Sequence, residues 1–180
     1  KAKDLFVNQP IEPAVASFGK GFSISPLKLV QLHAALANGG FEVTPHITST
    51  FKERENEILK KQFFSYEASK TVVGWMESVV EKGSGSGVRI EGYRIAGKTG
   101  TSQKALNGIY TSKKVCSFVA TLPVNDPKYV VLVIVDEPSK SYAYGSTVAV
   151  PAAKEIIESL IVIEKIPPKI KDHGMIVKKP

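Results

Sequence analysis

Apolar and polar positions along this chain follow first a helical and then a strand-like period, and the changes of period mark out its elements. Residues 1–22 show no clear periodicity, hold Pro10, Pro13 and a Phe18-Gly19-Lys20-Gly21 turn, and read as irregular surface chain. A helical spacing follows. Ser25 is placed to cap a helix with Pro26 at its first position, Leu29, Val30, Leu32, Leu36 and Ala37 supply its apolar side, and Asn38-Gly39-Gly40 ends it. Its lack of charge beyond Lys28 predicts burial on most sides. Residues 42–58 suggest a short hairpin turning near Glu55-Asn56. Ser65 caps a second helix with Glu67 in its first turn, Ala68, Val72, Met76, Val79 and Val80 on one stripe and Trp75 packed beside it. The run Gly83-Ser84-Gly85-Ser86-Gly87 closes this helix as a flexible connection, and Val88-Arg89-Ile90 reads as strand.

From there the period shortens. Gly92 to Ser102 reads as a strand, followed by an Asn107-Gly108 turn. Val115 to Leu122 alternates as a second strand, and Asn125-Asp126-Pro127 turns the chain into Tyr129 to Val135. That last run is nearly all apolar, which predicts cover on both of its faces. Ala152, Ala153, Ile156, Ile157, Leu160 and Ile161 then form a third amphipathic helix that begins near Pro151 and is ended by Pro167-Pro168, with residues 165–180 as an extended tail. The link between Leu122 and Tyr129 is too short for a crossover helix, so the strands must run antiparallel. The expected architecture is α+β, a three-stranded antiparallel sheet packed against helices. At 180 residues and 43% hydrophobic, the chain has material for one core, in one domain or a large piece of one.

Charge and chemistry narrow the picture by exclusion. The net charge of +7 comes mostly from lysines, and Arg54, Arg89 and Arg94 alone offer the bidentate fork that nucleic-acid recognition favours, so no nucleic-acid partner is expected. Lys165, Lys169, Lys171, Lys178 and Lys179 crowd the tail and read as solvated. Cys116 is alone in an apolar stretch, which excludes an internal disulfide and favours a small buried hydrophobe. His33, His46 and His173 have no metal-ligand spacing, and neither a metal nor a cofactor is expected. No apolar run approaches the length of a membrane span and no leader or initiator Met precedes Lys1, so the chain reads as excised from something longer, with any membrane anchor outside it.

One stretch carries chemistry. Ala96-Gly97-Lys98-Thr99-Gly100-Thr101-Ser102-Gln103 combines a cation, three hydroxyls and two glycines that leave the backbone open, a composition suited to anions. Gly92 with Gly97-Lys98-Thr99 meets the spacing of a nucleotide-binding phosphate loop. That loop must open a helix, and the residues after Thr99 start none. The alternative is the Lys-Thr-Gly strand that lines the acylation cleft of active-site serine enzymes. Strict strand alternation then puts Lys98 and Thr101 on opposite faces.

Four co-linear blocks extend that second reading. Ser17-Phe18-Gly19-Lys20-Gly21 with Ser25-Pro26-Leu27-Lys28-Leu29, Ala34-Ala35-Leu36-Ala37-Asn38-Gly39-Gly40, the stretch from Ile95 to Gln103, and Val133-Ile134-Val135-Asp136-Glu137-Pro138 resemble the C-terminal part of the transpeptidase domain of class B penicillin-binding proteins. The resemblance runs through most of the chain, residues 1–180. It implies peptidoglycan cross-linking by serine acyl transfer, with stem peptides and β-lactams as ligands and a periplasmic or outer-face location. It implies that Lys98 is the cation near the serine of a Ser-x-Asn motif and the substrate carboxylate. Thr101 would bind that carboxylate and give a backbone N–H to the oxyanion hole, while Thr99 supports the strand from its other face. Thr99, Gly100, Ser102 and Gln103 are the expected substrate-lining positions. The sequence contains no Ser-x-Asn, and its three Ser-x-x-Lys matches, at Ser17, Ser25 and Ser49, lack the setting of a nucleophile at the start of a buried helix. Both motifs are therefore expected in an upstream part of the same domain, without which this polypeptide is inactive. A non-catalytic β-lactam sensor or scaffold sharing the same wall is the alternative.

Overall fold

Two antiparallel ladders form the centre of the molecule. In the computed structural model, which describes residues 11–17, 19, 23–47, 61–107, 109–139 and 142–168, β1 (Ala96–Leu106) pairs with β2 (Ile109–Leu122) and β2 with β3 (Tyr129–Asp136), in the order β1-β2-β3. The expected three-stranded antiparallel sheet is what forms. Strand β1 starts at Ala96 rather than Gly92, because Gly92 turns the chain at φ 82° and Arg94 is engaged elsewhere. The Arg94 guanidinium grips Glu77 with two bonds of 2.6 Å, a bidentate pair that ties the approach to β1 to a helix. That bond to Glu77 also raises the Arg94 pKa.

The helices are α1 (Ile11–Ala16), α2 (Pro26–Ala37), α3 (Tyr66–Lys82) and α4 (Val150–Ile163), of which α2, α3 and α4 pack against the sheet. Part of the opening segment, expected to be irregular, is helical in α1, where Pro13 sits in the first turn and its missing N–H costs no bond. The predicted caps form: Ser25 accepts from the Lys28 N–H and Ser65 from the Ala68 N–H. The buried stripe of α3 is Ser69, Val73, Met76 and Val80: Met76 and Val80 are as expected, Ser69 and Val73 replace Ala68 and Val72, and Trp75 is exposed rather than packed. Only Ala35 of α2 is fully buried, and Leu27 and Leu32 are exposed, so the expected burial on most sides is not met among the described residues. Of the expected hairpin over 42–58, residues 42–46 belong to no strand, Phe41 pairs with Gln62 in an isolated bridge, and the turn near Asn56 lies outside the described residues.

Alternation splits the core into two layers. On one face Phe118, Ala120 and Leu122 of β2 and Val131 of β3 pack against Val150, Ala153 and Ile157 of α4. On the other, Ala96 and Val119 meet Val73 and Met76 of α3, with Leu36 of α2 and Val130 and Leu132 of β3 beside them. Strand β3 is thus covered on both faces over most of its length, with Ile134 left exposed. Cys116 is fully buried, as its neighbours predicted. The glycine-serine run is a packed corner rather than a loose link: Ser86–Val88 forms a 3-10 turn, Gly85 and Val88 are buried, and Val88-Arg89-Ile90, expected as strand, belongs to none. Helix α4 starts at Val150, with a proline in its first turn, and ends at Ile163, before the two prolines. The tail expected from residue 165 begins packed, with Ile166 in the core and its N–H bonded to the Ile161 carbonyl.

Gly97 lies directly on the Phe118 ring. A Cβ there would come 2.5 Å from the ring's Cζ and 3.0 Å from the Val119 carbonyl. Beyond the core, an ion cluster clamps the far end of the sheet: Lys104 reaches Asp136 at 2.9 Å and Glu137 at 2.8 Å, and Lys113 reaches Glu137 at 2.8 Å. The bonds from Lys104 and then Lys113 lower the Glu137 carboxyl to about 2. On α2, burial pushes the His33 imidazole down to about 4.

Two acid-dependent effects follow from the signs of these shifts. Between 6.5 and about 4 the unfolded chain binds more protons at His33 than the folded chain, so stability falls as pH drops through that window and levels off below it. The contribution of Glu137 is complete above 4.5 and is lost as pH falls to about 2. His33→Gln is expected to flatten the profile of Tm against pH in the upper window, and Glu137→Gln in the lower one. A pair of profiles superimposable on wild type contradicts both assignments. Gly97→Ala is expected to destabilise by ~1–3 kcal/mol in urea unfolding, through displacement of β1 from Phe118.

Candidate active site

Strand β1 is an edge strand among the described residues, paired only with β2. Its register is unbroken from Ala96 to Gln103, and the one irregularity lies between Gln103 and Ala105. The parity expected from the sequence therefore holds. Lys98 pairs with Val119, Gly100 with Ser117 and Ser102 with Val115, so these three share the face that packs on α3. Thr99 pairs with Phe118, Thr101 with Cys116 and Gln103 with Lys114, on the face that packs on α4. The six candidate residues lie along one edge but divide between two faces.

Each face is organised differently. Lys98 is exposed, and its Nζ donates to the Thr99 carbonyl at 2.8 Å, which marks that carbonyl as open to the free edge. The N–H and C=O of one strand residue point the same way and alternate along the chain, so the Thr101 N–H faces that edge too. On the other face the threonine hydroxyls are already engaged. Thr99 Oγ1 lies 2.7 Å from Ser84 Oγ, and Thr101 Oγ1 accepts from the Gly145 N–H at 3.0 Å. Ser102 Oγ donates to the Gln103 carbonyl at 3.3 Å. A phosphate loop is excluded by the same geometry, because Lys98 and Thr99 lie inside a strand and open no helix.

Sequence reasoning did not single out Ser84 or Gly145. Ser84 lies in a run that reads only as a break after a helix. Gly145 opens a π-helical turn, Gly145–Ala149, that leads into α4, and a Cβ on it would come 2.6 Å from the Ser117 carbonyl and 2.7 Å from the Gly100 carbonyl. Such an approach of backbone to backbone needs glycine. The single available signal was a glycine after two tyrosines and just before the last helix. The Ser-x-x-Lys matches keep to structural work where they are described: Ser25 is a cap, and Ser17 donates to the Ala14 carbonyl at 2.7 Å. Ser49 lies outside the described residues. The cavity lined by Tyr93, Arg94, Tyr129, Glu164 and Ile166 includes none of residues 98–103.

The structure thus gives an edge strand bearing an exposed lysine, with the Thr99 and Thr101 hydroxyls bonded on the face away from it. Comparison with known proteins bears on the family. The family described as the penicillin binding protein transpeptidase domain matches residues 3–158. A peptidoglycan D,D-transpeptidase FtsI homolog from Mesostigma viride is 42% identical over 92% of this chain and 31% of its own length. Stage V sporulation protein D of Bacillus subtilis is 39% identical over 82% of this chain and 24% of its own. Among solved structures, the transpeptidase domain of Burkholderia pseudomallei penicillin-binding protein 3 superposes with a TM-score of 0.76 at 30% identity, covering 91% of this chain and 49% of that one. The chain thus spans about a third or less of the two curated relatives named and about half of that solved domain. On these matches, the chain belongs to the penicillin-binding protein transpeptidase family, with class B relatives.

Proposed function

We propose that this chain supplies the Lys-Thr-Gly wall of a D,D-transpeptidase that cross-links peptidoglycan and is acylated by β-lactams. The observation that carries the reading is the free edge of β1, where Lys98 and the Thr101 N–H face outward together. An extended stem peptide can lie along such an edge and take main-chain hydrogen bonds from it. The nucleophilic serine and its base come from an upstream part of the same domain carrying Ser-x-x-Lys and Ser-x-Asn. The serine forms an ester with the carbonyl of the penultimate D-Ala, and the terminal D-Ala leaves with a proton. An amine of a neighbouring strand then takes the acyl group and frees the serine.

In that scheme the Thr101 N–H is a fixed donor to the oxyanion that develops on the attacked carbonyl. Lys98 adds positive charge between the incoming serine motif and the substrate carboxylate. Thr101 offers its hydroxyl to that carboxylate. Thr99, Gly100, Ser102 and Gln103 line the same edge, with Thr99 held by Ser84 as a brace as much as a contact. The relatives named as peptidoglycan D,D-transpeptidases support this activity, and a location on the outer side of the cell membrane follows from where its substrate is.

The test is acylation by a fluorescent penicillin. This polypeptide alone is expected to form no covalent adduct, and the same polypeptide with its upstream part to label one-to-one. In that longer protein Lys98→Ala is expected to slow acylation on the order of 100-fold with Tm unchanged, since the side chain is exposed. Labelling of the isolated piece, or a Lys98→Ala rate equal to wild type, contradicts the reading.

A further inference from the structure

The hydrogen bond from Gly145 to Thr101 has a direction, and the direction leaves the hydroxyl's hydrogen available to a ligand. Because the Gly145 N–H donates to Thr101 Oγ1 at 3.0 Å, that lone pair is taken and the hydroxyl's own hydrogen is left to point elsewhere. The second lone pair remains, so the hydroxyl can still accept as well as donate; on a strand that also carries the exposed Lys98 ammonium, donation to an anionic acceptor such as a carboxylate is the favoured use. What keeps Gly145 in place is therefore part of how the edge reads its ligand.

Two residues outside the edge hold it. Lys114 lies on β2 on the same face as Thr101, since Gln103 pairs with Lys114 and Thr101 with Cys116. Its ammonium sits 4.7 Å from the centre of the Tyr144 ring and 3.3 Å from the Ala143 carbonyl. The neighbouring carboxylates of Asp136 and Glu137 are bound by Lys104 and Lys113, so Lys114 is committed to the 142–144 segment and not to the ion cluster. Ala143 is buried. The Tyr144 N–H is bonded in turn to Thr147 Oγ1 at 2.9 Å, and the Val150 N–H to the Gly145 carbonyl, which fixes the turn from its other side. Lys114, Tyr144, Gly145 and Thr101 form one continuous series of contacts.

We propose that Lys114 and Tyr144 are positioning residues of the active-site edge: their cation–π contact seats the Gly145 N–H on Thr101 and so fixes the Thr101 hydroxyl as a donor toward a ligand carboxylate. This rests on the transpeptidase reading above and adds to it a specificity element built behind the strand. Neither residue touches the reacting atoms. Their effect is on recognition of the carboxylate and not on the attack itself.

The experiment uses the protein with its upstream part and compares acylation by a penicillin with acylation by the same penicillin as its methyl ester. Wild type is measured first: absence of labelling there refutes the transpeptidase reading before any variant is compared. In Lys114→Met and Tyr144→Leu, the preference for the free acid over the ester is expected to fall about fivefold, the size of an exposed cation–π contact, while ester acylation stays within about twofold of wild type. Lys114→Arg and Tyr144→Phe, which keep a cation over a ring, are expected to retain the wild-type preference. Hydrogen exchange of the peptide covering 142–149 gives a readout free of catalysis: it is expected to quicken in the two disruptive variants and not in the two conservative ones. An unchanged preference in Lys114→Met and Tyr144→Leu overturns the proposal, as does an equal loss on acid and ester, which marks a merely structural role. Unchanged exchange in those variants overturns it as well.

Discussion

Everything at the proposed site depends on how β1 is held from behind. An edge strand has one partner and one row of unpaired backbone groups, and by itself it is the least constrained part of a sheet. Here three contacts on the face away from Lys98 remove that freedom. Gly97 lies on the Phe118 ring, Thr99 meets Ser84, and Thr101 takes the Gly145 N–H. The free edge can then present donors in fixed positions, which is the condition for stabilising a developing charge without reorganisation.

The braces come from distant parts of the chain, and each is set by ordinary packing. Ser84 follows helix α3, whose buried stripe seats against Val119 and Ala96. Phe118 is the centre of the α4-side core, wedged between Gly97 and Gly85. Gly145 belongs to the turn that starts α4, whose Val150, Ala153 and Ile157 fill the same core. Two layers that bury apolar side chains on opposite faces of one sheet thereby converge on a few residues of its edge. The ion cluster of Lys104, Lys113, Asp136 and Glu137 lies on the surface and contributes little by comparison, since exposed pairs are screened.

Much of this was legible in the sequence, for reasons that differ by element. The third strand and the caps at Ser25 and Ser65 depend on local rules, a period of two and a hydroxyl before a helix, and they formed as expected, whereas the second strand covers the expected Val115 to Leu122 but begins earlier, at Ile109. The parity of Lys98 and Thr101 followed from alternation alone and survives because no bulge intervenes. What failed depended on long-range contact. Trp75 was expected to pack beside the apolar stripe of α3, yet its position on the helix faces out. Burial of α2 was inferred from its lack of charge, and that composition reports an apolar surface without saying what covers it. Gly85 and Gly145 are generic as residues, and their meaning lies in the ring or carbonyl that each approaches. No period or spacing encodes an approach between residues 44 apart in sequence, as Thr101 and Gly145 are.

The central claim is that the β1 edge, braced from behind, is the surface on which the acylating ligand lies. A crystal structure of the penicilloyl adduct of the protein with its upstream part tests it most directly. The account predicts the acyl carbonyl oxygen within hydrogen-bond distance of the Thr101 N–H, the ligand carboxylate beside the Thr101 hydroxyl, and the Gly145 N–H still on Thr101 Oγ1. An adduct whose carboxylate and carbonyl both lie away from residues 98–103 would contradict it.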